Sequence, residues 1–342
     1  MRSPDAPDRV RLSDIADEAG VSVATISKVL NGHDDISPAT RGRIEALLTA
    51  RGYVRRSKRE RPLGGLIELV FHEFEASWSM EIITGVQEVA KEHGLAVVVT
   101  ESGGVHSLGD HWIEGVLRRR PAGIVLVASA VLARQRARLA ARGIPSVVVD
   151  SAGDPPADVP SVGSANWAGG LAATRHLLEL GHRRIAAITG PSDMLCSFAR
   201  LDGYRSAMAT AGLEVDPLWV RFGTFHVDFG RDAAREILAL PDRPTAVFAG
   251  NDLQALGVYD AARERGLRVP EDLSVVGYDD IAPARWVSPA LTTVHQPLRR
   301  MGVEAARMLL DPTARTAEGG VARVDLATHL VVRGSTAPPR KG

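Results

Sequence analysis

Several polar and aromatic residues stand where a strand-like run gives way to a loop or a helix start. Asp150 closes SVVVD, Asn251 and Asp252 follow TAVFAG, and Asp279 and Asp280 close LSVVGYDD. Arg200 lies near the start of the helical pattern after RIAAITG, Trp78 follows the first strand run, and Phe225 follows a short run near Val220. Carboxylates and a guanidinium are planar groups that hydrogen-bond neighbouring hydroxyls in pairs. Aromatic rings cover the C–H faces of a sugar. Such a set suits a small polyol better than a lipid. Each residue also has a plainer use. Asp252 can cap the helix it starts, Trp78 can be core, and Arg200 can pair with Asp202 or Glu214. Trp112 and Trp219 are assigned to packing.

Chemistry of other kinds lacks its motifs. No G-x-G-x-x-G follows the first strand run, and no G-x-x-x-x-G-K-[ST] is present, so neither phosphate-cradling loop is visible. There is no G-x-S-x-G elbow. His72 and Glu73 do not form H-E-x-x-H, and no His/Cys group has zinc spacing. The single cysteine, Cys196, has no neighbour that would activate it. No catalytic residue, metal site or cofactor is expected.

The elements that must position these residues begin at Leu66. LIELVF leads to a helical pattern over about 79–93, LAVVVT to 109–119, GIVLVAS to 132–142 and IPSVVVD to a Pro-rich loop. The alternation resumes with 166–180, RIAAITG, 198–211, a short run at 220–222, and 228–240. TAVFAG, 252–265, LSVVGYDD, LTTVHQ and 299–310 follow. Apolar runs without strict alternation fit strands covered on both faces. Alternating β and α patterns predict parallel, doubly wound sheets, whose ligands bind at the carboxyl ends of the strands. There are too many strands for one sheet, and DSAGDPPADVPSVG reads as a crossing between two lobes.

A different pattern precedes the core. In LSDIADEAGVSVATISKVLN, Leu12, Ile15, Ala16 and Ala19 recur at helical spacing. Gly20 suits a helix stop and Ser22 an N-cap. A second helix hides Ile26, Val29 and Leu30 and leaves Val23, Ala24, Ser27 and Lys28 outward. Small, polar and basic groups near a helix start can enter a DNA major groove; an ordinary αα-hairpin with a solvated face is the other reading. A third helix starts with Ser37 as cap and Pro38 at its first position. RGYVRRSKRERPLGG then reads as a basic linker able to meet phosphates. Residues 1–9 are expected to be disordered.

Composition bounds the rest. The 342 residues predict more than one unit, with 45% hydrophobic and 24% charged residues in the soluble globular range. The formal net charge is zero, so any nucleic-acid contact must come from a local patch. One cysteine allows no internal disulfide and fits a reducing compartment. No signal peptide or membrane-spanning run is visible. Together these point to a cytoplasmic protein.

Taken together, LSDIADEAGVSVATISKVLN, SPATRGRIEALLTARGY, GHRRIAAITG, RLDGY, PTAVFAGNDLQALGVYDAARERGLRVPEDLSVVGYDD and SPALTTVHQP resemble the lactose-repressor (LacI/GalR) family of bacterial transcription regulators, in that family's order, over residues 10–333. The resemblance implies an α/β protein: an all-α helix-turn-helix headpiece (10–54) and a basic linker (55–65) on a two-lobed, periplasmic-binding-protein-like core (66–342) of doubly wound parallel sheets. The N-lobe would comprise about 66–161 and 293–320, the C-lobe about 162–292 and 321–335. It implies a homodimer on a roughly palindromic DNA operator, a small sugar-like effector between the lobes, and the role of a repressor of carbohydrate-metabolism genes. Val23 and Ala24 would probe base edges, Ser27 and Lys28 bases or phosphates, and Ser22, Thr25 and Asn31 the DNA backbone. Trp78, Asp150, Arg200, Phe225, Asp252, Asp279 and Gln296 would bind effector. A solute-binding protein or a small-molecule enzyme on the same core is the alternative. The linker departs from the family pattern. RRSKRERPL has no apolar wedge, and Pro62 stands near its place. Arg55, Arg56, Lys58 and Arg59 would instead follow the minor groove by charge with little kinking. The ending lacks leucine heptads, so a dimer is expected.

Overall fold

The computed structural model describes residues 12–30, 37–51, 64–103, 111–127, 133–150, 159–311 and 322–340. The segment 1–9 and the residues Asn31, Arg55, Arg56, Lys58 and Arg59 lie outside these, as do the side chains of Ser27 and Leu30. The chain divides into two units, Met1–Arg61 and Pro62–Gly342.

Among the described residues, the first unit holds three helices, α1 (Leu12–Ala19), α2 (Val23–Leu30) and α3 (Pro38–Ala50). Ile15, Ala16, Ala19, Ile26, Val29 and Ile44 are buried together, with Val21, Leu47 and Leu48 packed against them. Gly20 takes φ +63°, the left-handed conformation that lets α1 stop and turn. The Ser22 hydroxyl accepts from Thr25 N–H at 3.1 Å and caps α2; the Ser37 hydroxyl accepts from Thr40 N–H at 3.2 Å and caps α3. Arg51 Nε donates to Glu18 at 2.9 Å, tying the end of α3 to α1.

The second unit alternates strands and helices. Its first part runs β1 (Gly64–Phe71), α4 (Ala76–Glu92), β2 (Ala96–Glu101), α5 (His111–Arg119), β3 (Pro121–Val127), α6 (Ala133–Ala140), β4 (Ser146–Val149) and β5 (Ser161–Ser164). It continues with α7 (Asn166–Glu179), β6 (Ile185–Thr189), α8 (Leu195–Thr210), β7 (Val220–Phe222), α9 (Val227–Ile237), β8 (Ala246–Ala249), α10 (Asp252–Glu264) and β9 (Ser274–Asp279). The last elements are α11 (Pro283–Trp286), β10 (Thr292–His295), α12 (Leu298–Leu310), β11 (Arg323–Leu326) and β12 (His329–Val331). Two six-stranded sheets form, in the orders β11-β5-β4-β3-β1-β2 and β12-β10-β9-β8-β6-β7. All neighbours are parallel except β12 against β10.

Both sheets are covered on both faces. Ile67, Leu69 and Phe71 of β1 pack with α4 and α12, while Val70 turns to the side of α5 and α6, as period-two geometry requires. The second sheet divides likewise between α9/α10 and α7/α8. The helix pairs α4 with α12 and α7 with α8 cross on glycines. A Cβ at Gly85 would lie 1.9 Å from Arg299 O, one at Gly302 would lie 2.3 Å from Ile82 O, and Gly170 faces Arg200 O in the same way at 2.1 Å.

The structure moves the expected lobe boundaries. Residues 161–163 read as the end of a crossing loop, because serine and glycine carry little strand pattern; with Ser164 they form β5, paired with β4 and β11. Residues 323–326, expected in the second lobe, are β11 of the first sheet. Residues 293–295, expected at the start of the returning first-lobe segment, belong to β10 of the second sheet. The chain therefore crosses between lobes at Ala165, at Gln296–Pro297, and between β11 and β12. Helix α4 also begins three residues earlier than the pattern suggests. Glu75 caps it by accepting from Ser77 N–H at 3.1 Å and Trp78 N–H at 2.7 Å, which puts Trp78 in the first helical turn.

Candidate functional site

The strand ends converge on a cavity of about 130 Å³, roughly ten times what one ordered water needs. Phe71 ends β1, Asp150 follows β4 and Asp279 ends β9. Trp78 comes from the first turn of α4, Arg200 from α8, Phe225 from the approach to α9, and Asn251 from the turn into α10; all line the cavity. Met194 and Cys196, together with Ile281, join the apolar cluster of the first lobe, so the two lobes pack directly on each other beside the cavity. At its mouth, His226 Nε2 stands 3.3 Å from Glu73 Oε1, one residue from each lobe.

Arg200 is the centre of the polar network. It is 3% exposed. Its Nε donates to Asn166 Oδ1 at 2.8 Å, Nη1 to the Gly250 carbonyl at 2.6 Å, and Nη2 to Gln296 Oε1 at 3.2 Å. The guanidinium lies 3.8 Å from the ring centre of Tyr278 and 5.7 Å from that of Phe225, within cation–π reach. Neither Asp202 nor Glu214 holds it; Asp202 pairs with Arg205 instead. Burial opposes the charge on Arg200, but Asp279, 3.7 Å from Nη1, and Asp150 hold its proton all the more tightly.

The two cavity carboxylates are costly to the fold. Burial pushes Asp150 above the usual carboxylate range, against the pull of Arg200. Burial raises Asp279 further; Arg200 opposes the shift, and Asp252, Asp150 and Glu75 add to it. Asp279 Oδ1 is buried with no hydrogen-bond partner, at a cost of about 1–3 kcal/mol for such a group. Both residues also take positive φ, 49° at Asp150 and 105° at Asp279, a conformation uncommon outside glycine, although aspartate and asparagine adopt it more readily than most residues. Strain and unmet hydrogen bonding thus fall together at the cavity wall. A hydroxyl-bearing ligand supplies the missing donors, whereas an anionic one meets two carboxylates for one guanidinium.

Trp78, Asp150, Arg200, Phe225 and Asp279 all line this cavity. Asp252 and Gln296 stand one layer behind it. Asp252 is 0% exposed. It accepts from Thr293 Oγ1 at 2.5 Å and from Ile281 N–H at 2.9 Å, and so braces the turn that carries Asp279. Nor does it cap α10; Asn251 does, accepting from Gln254 N–H at 2.8 Å. Burial pushes Asp252 up to about 7, although both of its hydrogen bonds favour the ionised form. Gln296 joins Arg200 to Ser164, donating to that hydroxyl at 3.0 Å. Tyr278, Met194 and the rim residues Glu73 and His226 were missed. Their signal was position alone, beside strand ends, with no motif. Trp112 and Trp219 are buried in packing.

In the first unit, α2 presents Val23, 45% exposed, with Ala24 and Lys28 also outward and Thr25 half-buried beside Ser22. Among the described residues, no helix is long and apolar enough to cross a membrane.

A capped helix-turn-helix unit joined to a two-sheet core with a ligand-sized cavity defines the class of DNA-binding regulators governed by a small molecule. Comparison with known proteins makes the assignment specific. Residues 11–56 match the bacterial regulatory proteins of the lacI family, and residues 174–336 match a periplasmic binding protein-like domain. The HTH-type transcriptional regulator CelR of Thermobifida fusca is 37% identical over 340 residues, covering 96% of this chain and 98% of CelR. The structure of a CelR–cellobiose complex aligns with a TM-score of 0.71 at 36% identity, over 96% of this chain and all of that one. The lac repressor dimer bound to operator and the anti-inducer ONPF aligns with a TM-score of 0.69 at 27% identity, again over 96% of this chain and all of that one. The chain belongs to the lacI family of bacterial regulatory proteins. It is a DNA-binding transcription regulator controlled by a small-molecule effector, not an enzyme or a solute carrier.

Proposed function

We propose that the cavity binds a sugar, and that this binding sets the affinity of the headpiece for its operator, making the protein a cytoplasmic repressor of carbohydrate-metabolism genes. Asp150, Arg200 and Asp279 take the sugar hydroxyls, Trp78 and Phe225 cover its C–H faces, and Asn251 adds a polar edge. Asp252 and Gln296 hold these groups from behind. The observation that carries the reading is the buried Asp279 Oδ1, which accepts no hydrogen bond and meets Arg200 only as an ion pair at 3.7 Å, an acceptor that a hydroxyl satisfies. The cellobiose bound to CelR supports the ligand class.

On DNA, the headpiece (10–54) works in duplicate within a homodimer, for which the lac repressor dimer on its operator is the precedent. Val23 and Ala24 read base edges. Ser27 and Lys28 reach bases or phosphates. Ser22, Thr25 and Asn31 fix the backbone, and Arg55, Arg56, Lys58 and Arg59 follow the minor groove by charge. The test is a mobility-shift assay on the DNA upstream of the protein's own gene, with mono- and disaccharides including cellobiose. Sequence-specific binding that one sugar changes is the expected result. Binding that no sugar alters, together with no sugar-induced thermal shift, would overturn the effector reading.

A further inference from the structure

The first sheet has a second pole, opposite the cavity. Its parallel strands β1 to β4 begin there, and helices α4, α5 and α6 end there. Gly64, the first described residue after the linker, lies at this pole, donating from its N–H to the Arg120 carbonyl at 2.5 Å. The chain arriving from the helix-turn-helix unit therefore enters the core beside Arg120.

Three arginines are exposed on this pole: Arg118 in the last turn of α5, Arg120 just beyond it, and Arg142 just beyond α6. The carboxylate that feels both Arg118 and Arg142 is Glu114, which already accepts a hydrogen bond from Arg138. Arg119 is spent on the buried Glu68. Lys91 and Glu92 at the end of α4 offset each other, so among the described residues the pole is net positive in a chain whose net charge is zero. A cation in the last helical turn is favoured by the helix dipole, which is reason enough for Arg118. It is not reason enough for Arg120. The helices α4 and α6 are followed on the same pole by Gly94 and Gly143, at φ +65° and +67°, the usual residue for that conformation. Arg120 stands after α5 at φ +49°, where a side chain costs the fold and glycine would not. The strain is spent on a guanidinium at the place where the chain comes in from the DNA-binding unit.

We propose that Arg118, Arg120 and Arg142 form a second DNA-contacting surface, which meets backbone phosphates flanking the operator without reading sequence. This rests on the regulator reading above and extends the contact from the headpiece to the core. It adds affinity for longer DNA and steepens the salt dependence, since each phosphate contact contributes about 0.9 to the slope of log K against log salt.

The test uses the full chain and two triple variants. In one, Arg118→Gln, Arg120→Asn and Arg142→Gln remove the charge, asparagine being tolerated at positive φ. In the other, all three become Lys, which keeps the charge as a point cation. Operator affinity is measured from 50 to 300 mM salt on a duplex limited to the operator and on one extended by about 15 base pairs on each side. The wild type and the Lys variant should bind the longer duplex several-fold more tightly. The charge-removed variant should lose that gain and about 1–3 of the salt slope per protomer, with its sugar-induced thermal shift intact. An equal slope and an equal gain from flanking DNA in all three proteins would overturn the proposal while leaving the regulator reading standing. Equal loss in the Lys and charge-removed variants would also overturn it, because charge would not be the cause. Failure of the wild type to bind either duplex would instead remove the regulator reading itself.

Discussion

Asp279→Asn isolates the role of the cavity carboxylate, because almost everything but the charge is conserved. Asparagine tolerates positive φ as aspartate does, so the turn at φ 105° is retained. Oδ1 has no hydrogen-bond donor to lose, only the 3.7 Å ion pair with Arg200, whose pull on the carboxyl is outweighed by burial. Two effects of opposite sign follow. Without effector, the variant should be more stable than the wild type. Burial raises the folded-state pKa of Asp279 well above 3.8, so the native protein holds this proton more tightly than the unfolded chain. Wild-type stability then falls as pH rises from about 4 through the folded-state pKa, by up to about 1.4 kcal/mol per pH unit for this group. The asparagine variant lacks that fall, and its advantage should grow with pH over that window. At pH above the folded-state pKa, where Asp279 is ionised, effector binding should weaken, since a bond to a charged acceptor contributes about 1.5–3 kcal/mol against about 0.5–1.5 for a neutral one. The difference is about tenfold in Kd. Thermal denaturation from pH 4.5 to 8 and calorimetric titration with the sugar selected by the mobility-shift panel read the two effects separately. A variant less stable at every pH, or one that binds sugar as tightly as the wild type, would refute the assignment of Asp279 as an unsatisfied acceptor awaiting a ligand.

Four further outcomes follow from the same geometry. Asp252→Asn should flatten the decline in stability between about pH 4 and 7, because burial pushes this carboxyl to about 7, yet leave sugar affinity within about threefold; a tenfold loss of affinity would put Asp252 in contact with the ligand. Gly302→Val forces a Cβ to within 2.3 Å of the Ile82 carbonyl on α4 and should cost about 1–3 kcal/mol in urea denaturation; an unchanged midpoint would show that the helix pair can separate freely. Lys28→Ala should weaken operator binding about tenfold with sugar affinity intact, and equal losses in both assays would point to misfolding rather than a lost DNA contact. The Cys196 thiol, pushed up to about 12 by burial, should resist alkylation at pH 8 in the native protein and react at once in denaturant; rapid labelling of the native protein would mean the cavity wall opens readily.

What was legible in the sequence was whatever depends on spacing along one chain. The 3.6-residue stripe of Ile15, Ala16 and Ala19, the Gly20 stop and the Ser22 and Ser37 caps are local, and each has its expected partner. The strand runs of the core were visible for the same reason, being long and apolar. Ser161–Ser164 was not, because a short strand of serine and glycine is held by its neighbours β4 and β11 rather than by its own pattern. The choice of lobe for β10 and β11 was equally hidden, since it is decided by pairing between distant segments. At the cavity, strand-end position found Asp150 and Asp279 and could not separate wall from foundation. Asn251 and Asp252 are adjacent, yet the first lines the cavity and caps α10 while the second turns inward to Thr293 and Ile281.

That division between wall and foundation bears on control. Arg200 belongs to the second lobe, yet its partner Gln296 sits in one crossing between the lobes, and the partner of Gln296, Ser164, sits directly before another. Any ligand that draws the guanidinium toward its own hydroxyls must therefore pull on, or release, both crossings at once. A buried hydrogen-bond chain of this kind does not deform gradually, because each unmade bond inside it carries the full cost of a buried unpaired group. In the proposed site, the network that fixes Arg200 would therefore make the arrangement of the lobes depend on what occupies the cavity. Placing Gln296 behind the wall serves that dependence better than placing it on the wall, where a ligand could satisfy it without moving either lobe.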